Sequence, residues 1–420
     1  MIILIIKNNF IKPRICITVF LFNLRIQSAN TSKISYLIAG DLLSFWITNL
    51  RLWIITLIII IKVSNIVKHI KIIILLALVL LMRFYIWRFF FFFFFFETSI
   101  VLIIITVISW GYQPERIEAT IFMVIITSIF SLPFFLTIIN NFSHLNFWFL
   151  NFNLSFWDYC RFIFIFIVKM PVFFIHIWLP KVHVESPVHG SIILASIMLK
   201  LGCYGIIRIT SLIIKISISF NFIILAFRLW RITLLSLVCI IQPDLKRIIA
   251  YSSIVHMALT MARINLNKRK RIFARIIVML GHGLCSSALF FICNQIYKAT
   301  KSRRTILNKG IASTIPTISS LWFFLCIINA PIPPSINIMR EILAFKIIIR
   351  WSKLTIIIIL AVIMFRSFYR IIIFCIPAHG QFSNLNNNSI FITRKNLIIT
   401  IMHVLPAIII ISKSNIILIN

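Results

Sequence analysis

Six ionisable residues stand in otherwise apolar stretches, and they are the positions at which this chain could do chemistry. They are Glu97, Lys169, Lys200, Lys246, His282 and Glu341. A charged side chain at the centre of a membrane span costs about 2.5–3.5 kcal/mol on insertion scales, so such residues are rare and mostly functional. A paired glutamate and lysine favour each other's charged forms, so a lysine can gain or lose a proton when its partner moves. These residue types therefore predict a proton path.

Lys169 and Lys200 bound the stretch KMPVFFIHIWLPKVHVESPVHGSIILASIMLK, which is apolar except for a polar cluster in its middle. As one helix this stretch would be about 46 Å long, whereas the hydrocarbon core of a bilayer is about 30 Å thick. It therefore predicts two spans joined by a turn over residues 179–190. Each lysine lies about ten residues from that turn, or about 15 Å along a helix, near the middle of the membrane.

The turn contains His183, Glu185 and His189, residue types that also bind metals. In a solvated turn these types are ordinary loop residues, and that is the interpretation favoured by their position.

The two glutamates have comparable surroundings. Glu97 follows a run of phenylalanines and lies about 20 Å before the polar loop 111–119, measured along a helix. If the segment 146–157 does not cross the membrane, that loop and the turn 179–190 lie on one side, and Glu97 shares the depth of the two lysines. Glu341 follows NAPIPPSINIMR, whose three prolines cannot all lie in a regular helix, so its span is predicted to be broken.

Apolar runs recur along all 420 residues, 61% of which are hydrophobic, and they lack the alternation of barrel strands. They predict an all-α polytopic membrane protein with roughly 13–15 spans. The predicted spans are 2–23, 36–61, 72–91, 92–110, 119–139, 146–157, 160–179, 188–209, 211–229, 232–242, 247–264, 272–296, 317–346, 353–377 and 396–418.

The formal net charge of +34 comes from 42 lysines and arginines against eight acidic residues. Because the basic residues are dispersed through apolar runs, they do not predict a nucleic-acid surface. In many invertebrate mitochondria the codons AGA and AGG encode serine, so one hypothesis is that some arginines in this sequence are serines in the protein. The alternative is that they face partner subunits or lipid headgroups. The arginines concerned are Arg83, Arg88, Arg161, Arg228, Arg231, Arg340, Arg350, Arg366 and Arg370.

No nucleotide-binding, haem or flavin motif is present, and the eight cysteines are scattered without a C-x-x-C pair. We therefore expect no cofactor and no metal on this chain.

Five blocks carry a resemblance to a known family, and they occur in the family's order. The stretch from Lys169 to Lys200 and its flanks resembles the core of the antiporter-like (Mrp-type) proton-translocating subunits of respiratory complex I, the NADH:ubiquinone oxidoreductase. The other blocks are FFETSIVLIIITVISWGYQPERIEA, SLVCIIQPDLKRIIAYSSIVHMALT, GHGLCSSALFFICNQIYKATKSRRTILNKG and INAPIPPSINIMREILAF. Similarity extends from about residue 70 to 420 and is weak before it.

The resemblance implies about 14 helices with two inverted five-helix repeats, and discontinuous helices at the spans of Lys169 and Glu341. It implies domains at 1–70 (N-terminal helices), 71–230 (first repeat), 231–380 (second repeat) and 381–420 (C-terminal loop and helix). It also implies a proton axis in which Glu97 pairs with Lys169, followed by Lys200, Lys246, His282 and Glu341. Arg340 departs from the family pattern, because it puts a permanent cation beside Glu341.

The resulting interpretation is a membrane-arm subunit of the mitochondrial inner membrane that translocates protons, with NADH and ubiquinone used by other subunits. Its partners would be those subunits and the lipid bilayer, without nucleic acid. The alternatives are a stand-alone Mrp-type cation/proton antiporter, a membrane scaffold that does not pump, and a degenerate or mistranslated reading frame.

Overall fold

A computed structural model describes residues 40–61, 67–86, 88–111, 113–140, 156–170, 175–212, 214–264, 272–333, 335–381 and 394–412. Its helices are α1 Leu42–Ile61, α2 Val67–Tyr85, α3 Phe89–Trp110, α4 Arg116–Asn140, α5 Phe156–Lys169, α6 Trp178–Glu185, α7 Val188–Ile193, the π-helical turn Leu194–Met198, α8 Leu199–Leu212, α9 Ile214–Ile241, α10 Leu245–Ile264, α11 Ile272–Thr300, α12 Ile311–Thr314, α13 Pro316–Asn329, α14 Ile336–Trp351, α15 Thr355–Ala378 and α16 Arg394–Ser412. The predicted span 2–23 and nearly all of the predicted span 146–157 lie outside the described residues.

Within the described residues, six helical segments are long and apolar enough to cross a bilayer, so the prediction of an all-α polytopic membrane protein is confirmed. These segments are Leu42–Ile61, Phe89–Trp110, Arg116–Asn140, Val188–Thr210, Arg275–Thr300 and Thr355–Ala378. The total of about 14 helices and the inverted repeats stay predictions.

The predicted separation of spans 211–229 and 232–242 is wrong, because α9 is one helix across both. Arg228 and Arg231 stand next to the boundary between these two predicted spans, and both are buried. A charge inside a helix ends the span only if it must reach water, and here the protein interior surrounds it.

Two interruptions confirm the breaks that were expected at the spans of Lys169 and Glu341. Helix α5 ends at Lys169 and α6 begins only at Trp178, while α13 ends at Asn329 and α14 begins at Ile336. Each interruption contains proline, which removes a backbone donor and clashes with the preceding helical turn. A break at membrane depth exposes backbone carbonyls and amides that can hold charge inside the protein.

The prediction that the turn at 179–190 is solvated is wrong, because most of the segment is buried. Residues of α6 and the adjoining break at Ser186 are buried, including His183 and Glu185. The polar sequence was read as a loop, but the segment lies under the loop 111–119. A Cβ on Gly111 would come within 3.0 Å of the Glu185 carbonyl oxygen, and Lys181 Nζ lies 2.8 Å from Glu118 Oε1. The two segments are therefore in contact, and their position on one side of a membrane stays a prediction.

Helix α11 is the centre of the molecule. It packs against α1, α7, α10, α13, α14 and α16, and its apolar segment is completely buried. At the side of this centre, α5 approaches α8 closely because Gly202 and Gly205 have no side chains there: Cβ atoms at these positions would meet Met170 and the Phe166 ring. The close approach brings Lys169, the last residue of α5, beside the helix that carries Lys200.

Candidate functional site

The first cluster consists of Glu97, Lys169 and Arg83 around the ring of Phe96. Lys169 Nζ lies 5.0 Å from the centroid of that ring and Arg83 Cζ lies 4.0 Å from it. Glu97, in the middle of α3, is within range of the charges of Lys169 and Arg83. The predicted association of Glu97 with Lys169 thus has a geometric basis, and Arg83 adds a second cation that the proposed axis did not include.

Lys200 begins the central cluster and is completely buried. Its Nζ donates a hydrogen bond to the carbonyl oxygen of Ala195, 2.5 Å away. Ala195 lies in the π-helical turn Leu194–Met198, and π turns inside α-helices are frequent at functional sites because they disturb the regular backbone pairing. The local sequence therefore supplies a backbone acceptor for the buried ammonium group.

Lys246 also belongs to the central cluster, and the break after α6 holds it. Its Nζ is 3.3 Å from the carbonyl oxygens of both Val184 and Ser186. Between these two carbonyls along the chain stands Glu185, whose Oε1 lies 3.8 Å from Nη1 of Arg303. The end of α6 thus places one carboxylate and two carbonyl groups around a lysine and an arginine.

His183 lies near the two lysines of the central cluster. It is completely buried, is within range of the charges of both Lys246 and Lys200, and stacks on Phe290 with 4.7 Å between ring centroids. No residue in the described part of the chain forms a hydrogen bond with either of its ring nitrogens. An imidazole at this point can accept and release a proton between the lysines.

The second cluster consists of His282, His256 and Glu341 with Arg366 and Arg370. The rings of His256 and His282 are 5.7 Å apart, and His256 Nδ1 is 3.9 Å from Glu341 Oε1. Arg366 Nη2 donates to the same carboxylate oxygen at 2.6 Å, and Arg370 Nη2 at 3.3 Å. The cations around Glu341 thus come from α15. Arg340 was expected to place a permanent cation beside Glu341, but its side chain lies outside the described ones, so this expectation stays a prediction.

The three clusters follow one another through direct packing. A Cβ on Gly202 would lie 3.2 Å from Lys169 Cβ, and one on Gly283 would lie 3.5 Å from Lys200 Cε. Gly202 is two residues after Lys200 and Gly283 directly follows His282, so the glycines mark where the first cluster meets the central one and the central one meets the second. All six predicted residues lie in this series.

His183 and Glu185 were missed as site residues, because their polar sequence was assigned to a solvated loop. The sequence held no usable signal for burial here, because the nine residues from Trp178 to Ser186 include Lys181, His183 and Glu185. No group of three or more potential metal ligands occurs in the described part of the chain.

Residues 88–366 match the family model for the membrane domain of the NADH:quinone oxidoreductase/Mrp antiporter proteins. The chain belongs to this family. All six predicted site residues fall within the matched range, and so do both breaks in the helices. The second cluster's Arg366 is the last matched residue.

Relatives of the chain in this antiporter family include the protein named NADH-ubiquinone oxidoreductase chain 4 in several animals. Identity is 39% with that of Aedes aegypti, over 74% of this chain and 70% of the relative. It is 36% with that of Ceratitis capitata, over 83% and 81%. A solved chain of respiratory complex I from Thermus thermophilus with bound NADH shares the fold, with a TM-score of 0.84, 17% identity and coverage of 94% and 89%.

Proposed function

We propose that this chain is the chain 4 subunit of NADH:ubiquinone oxidoreductase in the mitochondrial inner membrane, and that it translocates protons through the three clusters. NADH oxidation and ubiquinone reduction would take place in other subunits, which drive this chain through contacts with it. The names of the animal relatives support the assembly and its location. The matching solved chain supports the fold.

One observation carries the proposed proton path: a series of neighbouring ionisable groups, buried except for the half-buried Glu97, runs from Glu97 to Glu341. Lys169, Lys200, Lys246 and His282 are each at most 3% exposed. Burying four such groups is costly, and their contacts with carbonyls, carboxylates and other imidazoles reduce that cost. His183 adds a buried imidazole within range of the charges of both Lys200 and Lys246. A proton can therefore move by short transfers between neighbours rather than across bulk lipid.

The finer architecture belongs to the same proposal. Two inverted five-helix repeats, at 71–230 and 231–380, would each contain one broken span, at Lys169 and at Glu341 respectively. The first cluster then belongs to one repeat and the second to the other, with the central cluster between them. The two breaks and the α7–α8 segment support this division, since broken helices in inverted repeats commonly hold the transported ion.

The test is proton pumping by the assembled enzyme in sealed vesicles, with Glu97→Gln and Lys169→Met. Each substitution preserves size while removing the ionisable group, so we expect pumping to fall by about 10²-fold, the scale of a positioned proton-transfer group. The matched control is Glu118→Gln, because Glu118 pairs with Lys181 on the surface with 60% of its side chain exposed. The control should pump like the wild type.

Two results would contradict the proposal in different ways. Unchanged pumping in both variants, with the complex intact, would indicate a scaffold that does not pump. Purification of the active chain without any redox subunit would instead indicate a stand-alone cation/proton antiporter.

A further inference from the structure

A pair of histidines lies outside the three clusters, at the point where α2 and α7 begin and α3 ends. His69 is in the first turn of α2, His189 is in the first turn of α7, and Trp110 is the last residue of α3. Nε2 of His69 is hydrogen-bonded to Nε2 of His189. Their rings are nearly perpendicular, with centroids 3.7 Å apart, and the indole of Trp110 packs on His69 at 4.3 Å.

Both imidazoles are buried, His69 completely and His189 with 4% of its surface exposed. A direct bond between two Nε2 atoms requires one ring to donate its proton and the other to accept it. The pair therefore holds the two neutral tautomers of histidine side by side. Each ring directs its Nδ1 away from the shared bond, so the pair has two separate ends at which a proton can enter or leave.

The pair lies between the polar loop after α3 and the central cluster. His189 follows Glu185 by four residues, and Gly111, next to Trp110, contacts the Glu185 backbone. Glu185 in turn is close to Lys246. The charged groups on the adjoining elements are Lys71 on α2, Glu115 and Arg116 after α3, Glu185 at the end of α6, and Arg303 after α11. Arg116 donates a hydrogen bond to the Gly111 carbonyl, and Arg303 forms an ion pair with Glu185 at 3.8 Å. These contacts direct both side chains to groups other than the imidazoles.

We propose that His69 and His189 form a proton port that connects the aqueous side at the loop 111–118 with the central cluster. This inference rests on the proposed function. A proton binds Nδ1 of the donor ring, the donor's Nε2 proton moves to Nε2 of the partner, and the partner releases its own Nδ1 proton. One proton enters and one leaves, so charge is conserved. Both rings finish in the opposite tautomer and must exchange tautomers before the next transfer.

The test uses His69→Gln and His189→Gln in the assembled enzyme in sealed vesicles, because glutamine keeps hydrogen bonding but cannot carry a proton. We expect pumping to fall by about 10²-fold. The wild-type rate should rise as the pH falls, with an inflection where the entry ring takes up a proton. That inflection should be absent from the residual rate of both variants.

The matched control is His403→Gln. His403 is also completely buried and bonds the Ile399 carbonyl within its own helix, so its loss should leave the inflection in place. Wild-type pumping and pH dependence in both port variants would overturn the proposal. If Glu97→Gln also pumps normally, the proposed function has failed; if only the port variants pump normally, the port alone has failed.

A second measurement applies if the port variants do not assemble. Two neutral imidazoles whose Nε2 atoms face each other can both bind one Zn²⁺ ion. Zinc ions alone should inhibit pumping by the wild-type enzyme, and less strongly as the pH falls from about 7.5 to about 6, because protons compete for the same nitrogens. Pumping that Zn²⁺ does not inhibit at any pH in this range would overturn the port.

Discussion

Lys169, Lys200 and Lys246 are all buried, but each has a different source of stabilisation. Lys169 has the Phe96 ring and the charge of Glu97, Lys200 has a carbonyl of the π turn, and Lys246 has two carbonyls at the helix break. Broken and widened helices thus supply backbone dipoles where carboxylates are few. This matters in a chain with eight acidic residues, because most buried cations must rely on groups other than carboxylates.

Four arginines with little exposed surface separate into two kinds. The partly buried Arg208 and Arg303 contact the carboxylates of Asp41 and Glu185, whereas no hydrogen-bond acceptor in the described part of the chain reaches the guanidinium groups of Arg51 and Arg83. Both of the latter are completely buried, so neither faces lipid headgroups or a partner subunit. The alternative explanation of the arginine excess is therefore wrong for Arg83.

Peptide mass spectrometry of the mature protein should show serine at position 51. The reason is that a guanidinium buried without acceptors costs several kcal/mol, whereas a serine hydroxyl can bond a carbonyl of its own helix. Positions 208 and 303 are the internal control and should show arginine. Arginine at position 51 would reject the codon hypothesis at this site, as would finding that a CGN codon encodes it.

At the scale of helices, the contact between α5 and α8 sets the position of Lys169. Phe166, one turn before Lys169, is enclosed by the rings of Phe96 and Phe134 and faces Gly205 on α8. The absence of a side chain at Gly205 lets the ring fill this space. A helix that ends at Lys169 has no further turn to anchor it, so its packing on α8 determines where the ammonium group lies.

Gly205→Ala should therefore destabilise the protein by about 1–3 kcal/mol, the usual range for an overpacked core. The added methyl group would meet the Phe166 ring, which its neighbours prevent from moving away. Thermal unfolding of the purified complex measures the effect, and pumping should fall with it as Lys169 shifts. Gly190→Ala is the control, because its Cβ would make only ordinary contacts from 3.4 Å. Equal melting temperatures for both variants would show that the contact between Gly205 and Phe166 does not determine the position of α5.

At the scale of the whole molecule, burial decreases from the centre to the periphery. The apolar segment of α11 is 100% buried, while those of α4 and α15 are 33% buried. Their outer faces carry large apolar side chains such as Leu132 and Ile357. Such faces need lipid or a partner subunit to cover them, and the family membership is consistent with both.

A photoreactive apolar probe dissolved in the bilayer should label α4 and α15 and leave α11 unlabelled. Exposure of apolar side chains to the hydrocarbon phase is the reason, and peptide mapping gives the measurement. Comparing the isolated chain with the assembled enzyme would identify the faces that partners cover. Labelling of α11 to the same extent as α4 would contradict the central position of α11.

The sequence by itself determined the class of the protein and the broken span before Glu341. The length of apolar runs and the geometry of proline are local constraints, so both features follow from local sequence alone. The break after Lys169 was implied by the family resemblance, and the depth of the lysines in the membrane stays a prediction. The motifs also determined the family. The misplaced boundary inside α9 and the misread turn at 179–190 share one cause, since polar residues were assumed to need water when the interior could satisfy them.

Only the tertiary structure decided which polar groups meet. His183 is buried within range of the charges of Lys200 and Lys246, Arg366 of α15 donates a hydrogen bond to Glu341, and His69 bonds His189 at a separation of 120 residues. The rotation of each helix about its axis determines these contacts. That rotation results from packing against several neighbours at once, as at Gly205 and Phe166, and no single helix sequence specifies it.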